Sequence, residues 1–346
     1  MSKTKNILLI ALSALSALIA SSCSSDDLTG SEMTGVPSTV TLSFQTPDMT
    51  KAGDTESDLQ TIRIYAFHND KVVATIYDGN VTKNTYTMQV PTGQVTFYAI
   101  ANEAAAGALK SKNTDAFTFP EADNQQALDL LTPAKLDEVT FSTLPAANII
   151  PMTSIALNSE INGTSNAITM QLSRSVAKMS LYFAKKTGGT SKIYLNHGIS
   201  LYNIPQFGYL FPKAYDGTMN FTDNRLPGQS LLQDIPTNSL SNELINDLPT
   251  PDPDPTKYQQ LPAKSIYLFA NPNEDTAIDC YELLVKWTEV NGSERFNSNK
   301  LLPIPTVAAN DHVQLFALIG DKFTSTEALW FVINPWIEAG GNIEFN

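Results

Sequence analysis

Residues 40–45 read Val40-Thr41-Leu42-Ser43-Phe44-Gln45. Large apolar side chains alternate with small polar ones. A strand with one buried face requires this period of two, because successive side chains point to opposite faces. The same reading extends outward. Ile62, Ile64 and Ala66 alternate, with Tyr65 and Phe67 on the opposite face. Lys71 to Tyr77 is a β-branched run that stops at the turn signal Asp78-Gly79. Tyr86, Met88 and Val90 alternate up to Pro91-Thr92-Gly93, and residues 95–101 are apolar on both faces, the pattern of a central strand. Residues 102–112, rich in alanine, and 124–139, with Leu128, Leu131, Leu136 and an interrupting Pro133, read as helical stretches packed across a sheet.

Strand character returns at 152–157 and 167–183. Within the second run Met170 and Leu172 share one parity, while Ala177, Met179, Leu181 and Phe183 share the other. A phase flip near Arg174-Ser175 requires a bulge, or a strand that passes from one core to another. The domain join is therefore expected near residue 167. Beyond it, residues 192–202, 265–270, 280–287, 313–319 and 329–334 read as strands, and Ser239 to Leu248 as a short helix. The proline-rich run 249–255 is expected to be an extended loop. Many short strands punctuated by Gly and Pro place the chain in the all-β class, as β-sandwiches.

Composition narrows the function. The chain has 346 residues, 42% of them hydrophobic, enough for a real core and for about two domains. Its 22 basic residues against 35 acidic ones give a net charge of −13, unsuited to nucleic acid, which is bound through clustered Lys and Arg. No P-loop, His-Glu-x-x-His or Gly-x-Ser-x-Gly motif occurs. His68, His197 and His312 lack the spacing of metal ligands, so neither a metal site nor a cofactor is expected. The chain is not expected to be an enzyme.

Lys3 and Lys5 precede a short apolar stretch, residues 7–20, followed by Ser21, Ser22 and Cys23. Such an order reads as a secretory signal over residues 1–22. The cysteine resembles the lipobox of bacterial lipoproteins, which implies lipidation at Cys23, with Ala20 standing where Leu is usual; the alternative is a secreted protein with a chance cysteine. Ser24-Ser25-Asp26-Asp27 is similar to the export tag of surface lipoproteins of the Bacteroides group, or is a solvated linker. Residues 23–38 are expected to form a flexible tether, leaving 39–166 and 167–346 as two domains. With Cys23 lipidated, Cys280 has no disulfide partner in the chain.

Several ordered segments together resemble the fimbrillin superfamily of Bacteroides-type pili, its major subunits and anchor lipoproteins. They are Thr50-Lys51-Ala52 leading to Ile62-Arg63-Ile64-Tyr65-Ala66-Phe67, then Val90-Pro91-Thr92-Gly93 leading to Tyr98-Ala99-Ile100-Ala101-Asn102. Ile150-Pro151-Met152, Leu172-Ser173-Arg174-Ser175-Val176-Ala177-Lys178-Met179 and Trp330-Phe331-Val332-Ile333-Asn334-Pro335-Trp336 complete the set.

The resemblance implies two transthyretin-like β-sandwich domains with short helical insertions. It also implies a structural role in a cell-surface fimbria that supports adhesion, with the chain a lipoprotein of the outer membrane and other fimbrial subunits its partners. In that superfamily a surface protease cuts after the first strand, which leaves and is replaced by a strand from a neighbour. Here the exchangeable strand would carry Val40, Leu42 and Phe44, whose burial contributes on the order of 5–9 kcal/mol. The cut would fall at Lys51-Ala52, although the protease prefers arginine and the first arginine, Arg63, lies in an expected strand. An uncut chain would be an anchor. The donor segment would include Trp336, Ile337, Ile343 and Phe345, unless this tail closes its own domain. Asp275-Thr276-Ala277 matches a short O-glycosylation pattern of this bacterial group, at Thr276, or arises by chance. The competing reading is a non-polymerising carbohydrate-binding surface lipoprotein with Trp287, Trp330 and Trp336 as its platform; core packing is the other role for these three.

Overall fold

The computed structural model describes residues 36–46, 58–112, 114–145, 149–154, 156–163, 165–186, 193–194, 199–202, 204–205, 207–212, 225–226, 229–230, 247–250, 252–260, 266–270, 282–289, 294–300, 307–319 and 326–335. These residues are mostly strand, arranged in several sheets. The first half contains β1 (Pro37–Gln45), β2 (Ile62–His68), β3 (Lys71–Asp78), β4 (Thr85–Pro91), β5 (Gly93–Ala101), β6 (Leu109–Ser111), β7 (Asp115–Phe117), β8 (Val139–Phe141), β9 (Met152–Ser154), β10 (Leu157–Ile161) and β11 (Ser165–Arg174). β12 (Ala177–Lys186) follows, then the short strands β13 (Ile193–Tyr194), β14 (Ile199–Tyr202), β15 (Ile204–Pro205), β16 (Gly208–Tyr209), β17 (Arg225–Leu226), β18 (Gln229–Ser230), β19 (Asp247–Leu248), β20 (Gln259–Gln260) and β21 (Ile266–Leu268). The last four are β22 (Glu282–Glu289), β23 (Glu294–Lys300), β24 (Asp311–Ile319) and β25 (Thr326–Pro335).

The largest sheet runs in the order β3-β2-β5-β9-β11-β1-β4, with β10 also on β5. The alternation of β2 and β5 divides their side chains between two clusters. Ile62, Ile64, Ala66, Val95, Phe97 and Ala99 meet Val40, Leu42, Phe44, Tyr86, Met88, Val90, Met170 and Leu172 in one core. Tyr65, Phe67, Tyr98 and Ile100 meet Ala106, Leu128, Leu131 and Leu136 in the other, so the helical segments do pack across this sheet.

Those segments are shorter than the sequence suggests. Asn124 and Thr132 cap α1 (Gln125–Leu130) and α2 (Pro133–Asp137), and Pro133 starts the second helix rather than breaking a longer one. Of the alanine-rich stretch only Glu103–Ala106 is helical, as a single 3-10 turn between Asn102 at φ 56° and Gly107 at φ 67°; residues 109–111 are strand. Of the helix expected over 239–248, the described residues Asp247–Leu248 are strand; 239–246 lie outside the described residues.

The phase flip has a structural counterpart. β11 ends at Arg174, Ser175 and Val176 bend, and β12 enters a second sheet. Met170 and Leu172 point into the first core, whereas Val176 belongs to the cluster shared with Leu210, Phe211 and Phe269 of the second half. The expected join at residue 167 falls within β11. Ser175 holds the bend: its N–H donates to Pro151 O at 2.9 Å and its Oγ to Leu210 O at 2.6 Å. β16 pairs with β8 beside it. A Cβ on Gly208 would stand 2.6 Å from Phe269 Cδ1, so the chain needs glycine there for close approach. Gly208→Ala is expected to cost about 1–3 kcal/mol by overpacking, read as a lower urea midpoint at unchanged slope.

The second sheet runs β19-β12-β24-β25, with β20 and β21 also on β12; a third contains β13, β22, β14, β18 and β23. Where β12 lies parallel to β24, Ser180 Oγ and His312 Nε2 are 2.8 Å apart. Burial lowers the His312 pKa from 6.5 to about 4, and the nearby cations Lys178 and Arg174 add to the effect. The unfolded chain therefore binds a proton between these values that the folded chain does not. Stability is full above pH 6.5 and falls as pH drops toward 4, by roughly 3 kcal/mol in total. Denaturant titrations at both pH values are expected to show this loss, and His312→Gln to flatten it.

Candidate functional site

The candidate site is the seam filled by β1. Along its length β1 runs parallel to β11, with Val40 opposite Asn166 and Phe44 opposite Met170. On its other side it is antiparallel to β4, with Val40 opposite Met88 and Leu42 opposite Tyr86. Both backbone edges of β1 are thus paired, and β4 ends the sheet among the described residues. Val40 and Leu42 are fully buried and Phe44 is 7% exposed. The Phe44 ring meets Tyr86 edge-on at 5.9 Å, and Tyr86 OH donates to Asp78 Oδ2 at 2.8 Å.

The strand starts earlier than expected, at Pro37, so Pro37 and Ser38 belong to it and not to a tether. The reason is local bonding. Val36 O accepts from Thr92 N at 3.0 Å, and Ser38, although polar, is buried with its hydroxyl bonded. On the outer face Gln89 Nε2 donates to Thr39 Oγ1 at 2.8 Å, and Ser43 Oγ lies 3.0 Å from Thr169 Oγ1. Outward side chains therefore tie β1 to both neighbours.

Downstream, the chain is gripped from Asp58 onward. Asn102, 3% exposed, donates from Nδ2 to Asp58 O at 2.8 Å and to Ile150 O at 3.0 Å. Its Oδ1 accepts from Gln60 N at 2.8 Å and Thr61 N at 3.4 Å. Asparagine suits the position because it tolerates the left-handed backbone and offers both a donor and an acceptor. One turn of strand later, Arg63 is 2% exposed. Nε and Nη2 donate to Glu103 at 2.8 and 2.9 Å, and Nη2 and Nη1 donate to Glu121 at 2.9 and 3.2 Å. The guanidinium also lies 4.3 Å from the centre of the Tyr77 ring. Burial opposes its charge, yet the bonds to Glu103 and Glu121 more than offset this and hold its pKa above the ordinary value. The same Pro120 carbonyl accepts from Tyr65 OH at 2.8 Å and from Arg63 Nη1 at 3.3 Å.

Of the residues singled out from the sequence, Val40, Leu42 and Phe44 come together in this seam. Cys23, Lys51, Ala52, Thr276, Trp336, Ile337, Ile343 and Phe345 lie outside the described residues, as does His197. Trp287 is on β22 and Trp330 on β25, in different sheets. Among the described residues no three His, Cys, Asp or Glu stand together as a metal site, and no helix is long and apolar enough to cross a membrane. Ser38 and Asn102 do not stand out in the sequence. A serine at the inward parity of β1 was the only signal for the first. For the second, an alanine-rich context concealed the turn.

Asn102→Gly keeps the left-handed backbone and removes the side-chain bonds. It is expected to cost about 2–4 kcal/mol and to speed amide exchange at Gln60 and Thr61, measured by hydrogen exchange with mass spectrometry. Exchange there at the wild-type rate would mean that Asn102 is not the tie.

Comparison with known proteins gives no family model and no curated protein that matches the chain. Solved structures do match. A fimbrilin from Porphyromonas gingivalis W83 aligns over 87% of this chain and 98% of its own, at 10% identity and a TM-score of 0.56. A candidate cell adhesion protein from Parabacteroides distasonis ATCC 8503 aligns over 87% and 96%, at 12% identity and a TM-score of 0.55. A second such candidate, from Bacteroides eggerthii DSM 20697, aligns over 87% and 95%, at 14% identity and a TM-score of 0.50. The chain therefore shares its mostly β fold with these fimbrilin and adhesion-protein structures.

Proposed function

We propose that this chain, folded like a fimbrilin, is a structural subunit or anchor of a cell-surface fimbria and assembles by β-strand addition. The two halves are read as transthyretin-like sandwich domains. The partners are other fimbrial subunits, and Cys23 carries lipid that holds the chain at the outer membrane. The reading assigns it no catalysis.

The observation that carries this reading is the position of β1. It is an interior strand, paired on both edges and buried along one face. Its covalent route to the rest of the fold runs through residues 46–58. A cut in that segment would leave β1 held by noncovalent contacts alone, with its downstream neighbour still fastened by Asn102 and Arg63. Departure of β1 would expose an apolar trough flanked by unpaired backbone groups of β4 and β11, and a strand of matching alternation would refill it. Arg63 itself is a poor target, because it is buried within β2 and bonded to two carboxylates. Lys51 remains the basic residue between β1 and β2 that a trypsin-like enzyme would recognise.

Limited trypsin treatment of the full chain is expected to cut at Lys51 and release β1. Unboiled samples should then show ladders on denaturing gels, and Leu42→Ala should raise the rate of release. A chain that is cut, retains β1 and stays monomeric would overturn the reading. Stalk and anchor forms are separated by the N-terminus found on the native cell surface: Ala52 for a processed stalk subunit, lipidated Cys23 for an anchor.

A further inference from the structure

β1 turns four side chains inward: Ser38, Val40, Leu42 and Phe44. Three are apolar and grow in size along the chain. The first is a hydroxyl and is 1% exposed. Ser38 Oγ donates to Gly163 O at 2.6 Å and accepts from Asn166 Nδ2 at 3.0 Å. Asn166 Oδ1 in turn accepts from Asn162 N at 3.3 Å. The turn between β10 and β11, with Gly163 at φ 72°, is thus closed on a hydroxyl supplied by another strand. The seam offers one polar subsite and three apolar ones, and the last of these ends against the Tyr86 ring.

Resting on the strand-addition reading above, we propose that the polar subsite at Gly163 and Asn166 selects the incoming strand. Its preferred occupant is an extended segment of another polypeptide. The inward positions of that segment read Ser or Thr, then three apolar residues of increasing size, and it runs parallel to β11. A slip of one residue turns the apolar face outward. A slip of two in one direction sets an apolar side chain against Gly163 O and Asn166 Nδ2 and leaves both without a partner. It also forces the largest side chain into the subsite built for Leu42. A slip of two in the other direction buries the hydroxyl in an apolar subsite and underfills the end at Tyr86. Reversal of the strand sends the hydroxyl to the aromatic end.

The test uses the full chain with a site for a sequence-specific protease inserted after Lys51. The cut protein is mixed with fluorescent nine-residue peptides, and binding is followed by anisotropy. The peptide Pro-Ser-Thr-Val-Thr-Leu-Ser-Phe-Gln, the sequence of β1, is expected to bind. Replacing its first Ser by Ala or Val is expected to weaken binding by roughly tenfold or more, and replacement by Thr to preserve it. A peptide with the sequence reversed should not compete. Asn166→Ala in the protein is expected to shrink the difference between the Ser and Ala peptides, because both changes remove the bond between Asn166 Nδ2 and the hydroxyl. Equal affinity of the Ser and Ala peptides for the cut protein would overturn the selection rule and leave strand addition standing. Failure of every peptide to bind would overturn both.

Discussion

The insertion of β1 between β11 and β4 is the interaction on which the first half depends. A parallel pair cannot close through a hairpin. β1 and β11 stand at opposite ends of this half in sequence, so their pairing joins the first strand to the last. β4 and β11 must both be in place before the two edges of β1 can be satisfied. The same device recurs in the second half, where β12 enters first and lies parallel to the late strand β24. Two sheets thus share one rule: the strand that comes first in sequence finishes next to one that comes late.

Such a topology separates the making of the groove from its filling. β2 and β3 form a hairpin, and β2 pairs with β5 across a shorter stretch of chain than separates β1 from β11. The contacts of β1 are non-local. Burial of Val40, Leu42 and Phe44 contributes on the order of 5–9 kcal/mol, a large part of the stability of an ordinary domain. A cut between β1 and β2 leaves the pairing of β1 with β4 and β11 intact, so β1 leaves as another strand displaces it. Replacement by a competing strand is the easier route, because each newly formed pair offsets one that is lost.

The sequence disclosed the faces of the strands more fully than their neighbours. Alternation at Val40-Leu42-Phe44, at Ile62-Ile64-Ala66 and at Tyr86-Met88-Val90 follows from local geometry, and these residues share one core. The parity change at Arg174-Ser175 was visible because a strand that enters a new core must change which side it buries. Parallel pairing of β1 with β11 left no such mark, since alternation is the same whichever strand lies alongside. Arg63 is legible as an arginine inside an expected strand, but its partners Glu103 and Glu121 are distant in sequence. Asn102 was hidden for a different reason: alanine propensity is a weak prior, and the hydrogen bonds to Asp58, Gln60 and Ile150 override it.

Direction is the remaining consequence of the seam. An occupant of β1's place must run parallel to β11 if Ser38's subsite and the rising series of apolar subsites are both to be filled. If that occupant comes from another subunit, the surface that gives the strand and the surface that receives it are different parts of the molecule. A contact between unlike surfaces is heterologous, and unless its rotation closes a ring it repeats without end. The donor's strand enters in one sense only, so every junction has the same orientation and the resulting fibre is polar. The seam that gives the first half its core would then also set the direction of assembly, with the hydroxyl at one end and the aromatic ring at the other distinguishing the two senses.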